Sequence, residues 1–301
     1  KINNFDKILI YLMCFGIRLS GLITIIIKFR LYYRLSKIIS YFIPSYILCK
    51  IIINKDTNYN FFLNDPYYNR LIYSGYKYEP EIEILLTKIK KIKYVFFDVG
   101  ANYGYWSLIA SSKYFGYKKT IAIEPVHKNF VICKRNCKSN KSRFQLIKKG
   151  VSNFNGTKYI YVDNLSRSAV ASSLVKPRNI LFKKELINII SMDKILTKYK
   201  KFNYHVVKLD VEGEEINCFK SIRKNFVKKI LFIYEDHGND VKNRNTKYLI
   251  KKGYKIFMYF GNKTIQIKKH TDLNIYKNQK TVGYNLFATK SKKFLKYLIN
   301  G

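Results

Sequence analysis

Acidic residues are scarce in this chain of 301 residues: 19 Asp and Glu stand against 57 Lys and Arg, a formal net charge of +38. Glycine and proline are few, at 14 and 5, and no internal period is present. Collagen-like, fibrous and repeat-array folds are thereby excluded. The five cysteines, Cys14, Cys49, Cys133, Cys137 and Cys218, include no C-x-x-C pair and no histidine at finger-like spacing. A disulfide framework and a structural zinc site are therefore not expected, and the odd thiol count fits the reduced cytosol. No Lys/Arg block singles out one anionic partner. Lys, Ile, Asn and Tyr recur throughout, as AT-rich coding produces, so anionic lipid, nucleic acid and polyanionic glycan all stay open.

Apolar side chains make up 48% of the chain and aromatics 16%, enough to offset the entropy of ordering, which excludes a disordered basic tail. At this length one α/β domain with an appendage, or two small domains, is expected. The run from Ile8 to Ile27 is apolar apart from Arg18, Ser20 and Thr24, and Lys28, Arg30, Arg34 and Lys37 follow it. Its length approaches the ~20 residues of a membrane helix, but an Arg in mid-span costs roughly 2.5 to 3.5 kcal/mol. No small-residue cleavage site follows, so the run does not read as a secretory signal. Three readings stand: helices packed on the following domain or on a second subunit, a helix lying in the membrane interface, and a true span that leaves the rest in the cytosol.

The composition divides the chain into a basic apolar helical segment (1–55), a helical lead-in (56–93), a domain (94–290) and a C-terminal tail (291–301). In the lead-in, Asp65-Pro66 marks a turn, and Gly75-Tyr76-Lys77-Tyr78-Glu79-Pro80 opens a helix whose Ile82, Leu85, Leu86 and Ile89 form a core-facing stripe. Short apolar runs at Tyr94–Val99, Thr120–Glu124, Phe144–Lys148, His205–Asp210, Lys229–Glu235, Tyr254–Tyr259 and Tyr284–Thr289 read as seven strands, with helical patterns between them. That alternation predicts βαβ units and a mostly parallel sheet, with functional loops at the carboxyl ends of the strands.

The sequence Tyr94-Val-Phe-Phe-Asp98-Val-Gly100-Ala-Asn102-Tyr-Gly104 is a buried strand that ends in Asp and runs through Gly-x-x-x-Gly into a helix. Glycines there let a ligand approach the backbone, and amides at the helix start face its polar groups. The spacing matches neither a dinucleotide fingerprint nor a P-loop. An Asp at the strand end suits an amino-bearing or sulfonium ligand rather than phosphate. Glu124 of Ile121-Ala-Ile-Glu124-Pro125 ends the next strand twenty residues after Gly104, where an acidic side chain typically takes ribose hydroxyls.

A second acidic group, Asp210-Val-Glu212-Gly213-Glu214-Glu215, follows an interior strand, and Glu235-Asp236-His237 ends the one after. Four carboxylates in six residues are ordinarily a solvated face. Here they lie across the expected topological switch point from Gly100, which gathers Asp210, Glu212, Glu235 and His237 around one crevice. His127 and His270 read as surface residues, His205 as a satisfied edge histidine, Cys133 and Cys137 as packing one helical turn apart, and Trp106 as packing against the sheet.

Taken together, Asp98-Val-Gly-Ala-Asn-Tyr-Gly104, Glu124-Pro125 and Lys208-Leu-Asp210-Val-Glu212-Gly213-Glu214-Glu215 resemble the FkbM-type family of S-adenosylmethionine-dependent methyltransferases over roughly residues 76–290. Smaller echoes are Gly150-Val151-Ser152, Ser191-Met-Asp193 and Asn285-Leu-Phe-Ala288; Val126-His127-Lys128 departs from the Pro-rich turn common in that family, and the N-terminal helices lie outside the likeness. The resemblance implies an α/β, Rossmann-like class I methyltransferase with a seven-stranded, mostly parallel sheet and an antiparallel last strand, preceded by N-terminal helices. It implies that Asp98, Gly100, Asn102 and Gly104 hold the methionine end and the backbone of S-adenosylmethionine, that Glu124 takes the ribose, that Val151 and Ser152 flank the adenine, and that Pro125 is among the cofactor-binding residues.

Methyl transfer to a hydroxyl needs a base, for which His237 or Asp210 is placed, with Glu212 beside them. A divalent metal held by Asp210, Glu235 and His237 is the other reading, and the metal-free one is preferred. The expected acceptor is a hydroxyl of a sugar or glycan, or of a secondary metabolite, taken up in the cytoplasm or at the anionic face of the membrane. Nucleic acid is the less favoured partner, and an RNA-binding protein or RNA methyltransferase is the runner-up reading. An inactive methyltransferase-fold membrane scaffold is the third; the intact Asp98, Glu124 and Asp210 speak against decay. Oligomeric state is not legible.

Overall fold

The computed structural model describes residues 4–27, 31–73, 75–163, 172–173, 182–211, 213–261, 263–280 and 282–299. Two helices come first, α1 (Asn4–Ile27) and α2 (Leu31–Phe42), packed on each other and on a short 3-10 turn at Asn69–Ile72. No described helix is long and apolar enough to cross a membrane.

Where the sequence suggested a helical segment to residue 55 and a helical lead-in after it, the chain forms an antiparallel hairpin of β1 (Leu48–Ile53) and β2 (Thr57–Phe62) across that boundary. The free edge of β2 is satisfied by side chains. Asn140 Oδ1 accepts from the Asn58 amide at 2.8 Å, and Asn140 Nδ2 donates to the Asn58 carbonyl at 2.6 Å. Asn136 does the same for Asn60, at 2.7 and 2.9 Å. Two amide side chains, one on a helix and one capping its end, thus stand where a third strand would, which answers the demand of buried backbone groups for partners. Helix α3 (Pro80–Ile89) follows and buries Ile82, Leu85, Leu86 and Ile89 as its stripe demands.

The domain then runs β3 (Val95–Val99), α4 (Tyr105–Ala110), β4 (Lys119–Ile123), α5 (His127–Ser139), β5 (Gln145–Ile147), β6 (Gly150–Ser152), β7 (Gly156–Asp163), β8 (Ser172–Ser173) and β9 (Phe182–Ser191). It continues through α6 (Met192–Lys198), β10 (His205–Leu209), α7 (Glu215–Lys220), α8 (Lys224–Val227), β11 (Ile230–His237), α9 (Arg244–Lys251), β12 (Lys255–Phe260), β13 (Lys263–Ile267), β14 (Gly283–Thr289) and α10 (Lys292–Ile299).

The large sheet has the order β13-β12-β14-β11-β10-β3-β4-β5. Strands β3, β4, β5, β10 and β11 are parallel, and β14 enters antiparallel between β11 and β12. The seven expected strands are present, and β13 adds an eighth as an antiparallel edge. One face carries Phe96, Val206, Leu231, Ile233 and Phe287 against α3, α4, α5 and α10; the other carries Phe97, Val207, Phe232 and Leu286 against α6, α7 and α9. His205, expected at an edge, is wholly buried in the interior strand β10, where Nε2 meets the Tyr199 carbonyl at 3.3 Å. A second sheet, β6-β9-β7-β8, is inserted between β5 and α6.

Because the chain leaves β3 toward β4 and β5 and later returns to its other side as β10, the order reverses between β3 and β10. Open α/β sheets bind ligands at that reversal, outside the strands' carboxyl ends.

Candidate active site

The loop after β3 is shaped by close approach. Gly100 has φ +79°, and a Cβ there would overlap the Asp210 carbonyl oxygen. Gly104, at φ +82°, would put a Cβ 2.8 Å from Cys133 Sγ. Both conformations favour glycine. The Gly100 and Ala101 amides donate to the Ile123 carbonyl at 2.9 and 3.1 Å, which pins the loop to β4. Asn102 is also left-handed, at φ 53°, and its Oδ1 is buried without a hydrogen-bond partner.

Glu124 is almost wholly buried just past β4. Its Oε2 accepts from the Asn102 amide at 2.8 Å and its Oε1 from the Val126 amide at 2.9 Å. Burial pushes its pKa up to about 8, against the pull of those two amides. Pro125 lies beside Gly150 at the start of β6, with 3.9 Å between the Pro125 Cβ and a Cβ built on Gly150. Val151 is buried in the core, and Ser152 Oγ donates to Glu214 Oε2 at 2.5 Å. Glu214 also pairs with Lys158 at 2.6 Å. Its carboxylate is thus committed to the second sheet; burial would raise its pKa, but Lys158, Ser152 and Asn217 hold it below the usual range.

Paired residues share a sheet face, and alternate residues along a strand return to it. Asp98 is in register with Lys208, Lys208 with Ile233, and Glu235 with Asn285. One face therefore carries Asp98, Lys208, Glu235, Asn285 and His237, with Asp210 just past the end of β10. Asp98 Oδ2 accepts from Ser107 Oγ at 2.6 Å; burial raises its pKa, with Lys208 and Ser107 opposing. The Lys208 ammonium, its side chain 6% exposed, meets Asp210 Oδ2 at 3.0 Å; the Asp210 side chain is 33% exposed. Burial would lower the lysine's pKa, yet Asp210, Glu79, Asp98 and Glu235 together hold it above the ordinary value.

Glu79, at the start of α3, completes the group from above. Its carboxylate accepts from Trp106 Nε1 and, at 3.3 Å, from Asn285 Nδ2. It is held at φ 45° directly before Pro80, a conformation that a non-glycine residue rarely adopts. A Cβ on Gly283 would overlap the Glu235 carboxylate, so β14 is bare where Glu235 lies. His237 is exposed at the end of β11, two residues beyond Glu235. Asp236 points to the other face, where it accepts from the Thr246 hydroxyl. Among the described residues no three His, Cys, Asp or Glu side chains are grouped as a metal site requires, and Asp210, Glu235 and His237 form no such set. Glu212 lies outside the described residues. His127 is exposed, with Nδ1 2.9 Å from Lys148 Nζ.

Lys208, Glu79 and Asn285 stand in the quoted segments, but sequence reading gave none of them a role at the site. Lys208 had a local signal, a charge inside the apolar strand His205-Val-Val-Lys-Leu209. Glu79 and Asn285 meet across a separation of 206 residues, which no local pattern announces.

A parallel sheet that reverses order between β3 and β10, an antiparallel β14, a Gly-x-x-x-Gly turn after the first parallel strand and a buried Glu after the next define a class I methyltransferase. The family model of the methyltransferase FkbM domain matches residues 98–260, more than half of the chain. The chain belongs to the FkbM methyltransferase family and is an S-adenosylmethionine-dependent enzyme. Among solved structures it is similar to a methyltransferase FkbM from Methylobacillus flagellatus, with 15% identity, a TM-score of 0.40 and coverage of 66% of this chain and 45% of that one. It is also similar to a precorrin-6y C5,15-methyltransferase from Geobacter metallireducens, with 13% identity, a TM-score of 0.39 and coverage of 69% and 87%. No curated protein matches the chain in sequence.

Proposed function

We propose that the chain transfers a methyl group to a hydroxyl of a sugar or glycan, or to the equivalent hydroxyl of a secondary metabolite. When bound, S-adenosylmethionine supplies an electrophilic methyl on a sulfonium. Three features fit that cofactor. The left-handed glycines Gly100 and Gly104 seat the loop against Asp210 and Cys133 at the switch point, the orphaned Asn102 Oδ1 is available to accept from an ammonium, and the Glu124 carboxyl has lone pairs left for vicinal hydroxyls. In this reading Asp98, Gly100, Asn102 and Gly104 line the methionine end and Glu124 the ribose. Pro125 and Val151 bound the adenine, with Ser152 contributing its backbone because its hydroxyl is taken by Glu214.

The observation that carries the chemistry is the pairing of Asp210 with buried Lys208 beside Gly100. Asp210 accepts the proton of the acceptor hydroxyl, and Lys208 fixes the orientation of its carboxylate. Glu79, Glu235 and Asn285 lie next to them with oxygens and an amide suited to further hydroxyls of a polyol. His237 stays a candidate base at the outer rim, and Glu212 keeps its candidate place from sequence alone. RNA is disfavoured by a specific feature: in a protein of net charge +38, this face presents Glu79, Asp98, Asp210 and Glu235 against Lys208, the wrong sign for a phosphate backbone.

Calorimetric titration with S-adenosylmethionine, for wild type and Glu124→Ala, tests the cofactor half. Loss of the ribose contacts weakens binding by roughly 1 to 3 kcal/mol. Labelled methyl transfer to neutral glycosides, hydroxylated metabolites and RNA tests the acceptor half, and label appearing in RNA overturns it.

A further inference from the structure

We infer that α1 and α2 form a surface that lies flat on an anionic lipid headgroup layer. Helix α1 is apolar on two opposite faces. Ile17 and Ser20 are buried, and Ile10, Met13 and Cys14 pack against the main core, so one face belongs to the domain. Directly across from Ile17 lie Ile8, Tyr11, Leu12, Phe15, Leu19 and Leu22, 46% to 79% exposed. At ~100° per residue these six fall within an arc of roughly 100°, the width of a stripe that ordinarily faces a core. Here it faces outward. Helix α2, in contact with α1 where Ile39 meets Gly16, adds exposed Ile38, Tyr41 and Phe42.

Charge selects the occupant. Exposed Lys7 and Arg18 border the stripe on α1, and exposed Arg34 and Lys37 lie among the apolar residues of α2. Residues 1–55 hold nine Lys and Arg and a single acid, Asp6. A second copy of the chain would bring the same positive rim against this one, on top of +38 on each molecule, which opposes a dimer here. An anionic headgroup layer neutralises the rim while its acyl boundary takes the stripe, and each Lys or Arg near it adds ~1 kcal/mol. One face of α1, at Ile17 and Ser20, is packed on the domain and Arg18 lies in mid-helix, so the helix lies in the interface rather than across it. The inference is independent of which hydroxyl is methylated.

The test is co-sedimentation of the full chain with phosphatidylglycerol and with phosphatidylcholine vesicles, at low and at high salt. We expect binding to phosphatidylglycerol at least tenfold tighter than to phosphatidylcholine, and weakened by salt. Leu12→Glu/Phe15→Glu abolishes it and Arg34→Glu/Lys37→Glu lowers it at least fivefold, with thermal unfolding of both unchanged because all four side chains are exposed. Sedimentation with neither vesicle overturns the inference, as does binding that survives a carbonate wash. A solution dimer that Leu12→Glu/Phe15→Glu splits also overturns it and assigns the stripe to a second copy.

Discussion

The carbonyl oxygen of Asp210 occupies the space that a Cβ on Gly100 would need, and the Asp210 amide donates to the Val99 carbonyl at 3.0 Å. The ends of β3 and β10 are thereby closed on each other, which brings the carboxylate of Asp210 to the cofactor loop. Chain segments more than a hundred residues apart build one site because a glycine leaves room for a backbone.

Gly100→Ala tests that closure. A left-handed φ costs a non-glycine residue ~1 to 2 kcal/mol, and displacing the end of β10 costs a further ~1 to 3. Chemical denaturation of the variant is expected to show a loss on the order of 2 to 5 kcal/mol, with cofactor titration heat greatly reduced. A loss below ~0.5 kcal/mol, the size of an ordinary surface substitution, contradicts the close approach.

Glu124 predicts a pH dependence with a definite sign. Its folded pKa of about 8 lies above the ordinary 4.5. Between those values the folded protein keeps a proton that the unfolded chain has released, so this residue makes stability fall as pH rises through that window. Below it both states are protonated, and above it both are ionised. Urea unfolding without cofactor, from pH 5 to 9, is expected to show a steeper decline for wild type than for Glu124→Gln. Parallel curves would mean that the carboxyl titrates alike in both states.

Much of this geometry is legible in sequence, and the reasons for the rest are physical. The seven strands of the large sheet are short apolar runs between helical patterns, and the glycine turn and Glu124 lie within one βαβ unit, so local reading finds them. Strand β13, Lys263-Thr-Ile-Gln-Ile267, is a polar edge strand with little periodic signal. The β1–β2 hairpin escapes because Asn58 and Asn60 find their partners at the end of α5, some eighty residues away. Glu79 escapes because its role depends on a strained φ and on Asn285, whose place opposite Glu235 is set by the antiparallel insertion of β14.

Two candidate bases are separable by kinetics. Asp210 adjoins the loop and is held by Lys208, whereas His237 is exposed at the rim. Asp210→Asn is expected to lower methyl transfer ~10²- to 10⁴-fold with cofactor affinity changed only a few-fold, and His237→Ala to lower transfer by less than about tenfold. The opposite order would assign the proton to His237.

Lys208→Met separates charge from packing. The ammonium is buried among Asp98, Asp210, Glu79 and Glu235, and breaking a buried pair by removing one partner costs about 3 to 5 kcal/mol, because the remaining charge is left uncompensated. Asp98 supplies the pH signature. Burial already raises its pKa and Lys208 opposes the rise, so without the lysine its carboxyl holds its proton to still higher pH. The variant is therefore destabilised relative to wild type by an amount that grows as pH rises above the ordinary Asp range. The lysine's own folded pKa is raised, so its stabilising charge is fully present across neutral pH and does not confuse the comparison. Denaturation at pH 5 and pH 8 is expected to show the larger deficit at pH 8, and Lys208→Arg, which keeps the charge, to recover part of it. An equal deficit at both values would make Lys208 a packing residue, and Asp210 would then depend on another partner for its orientation.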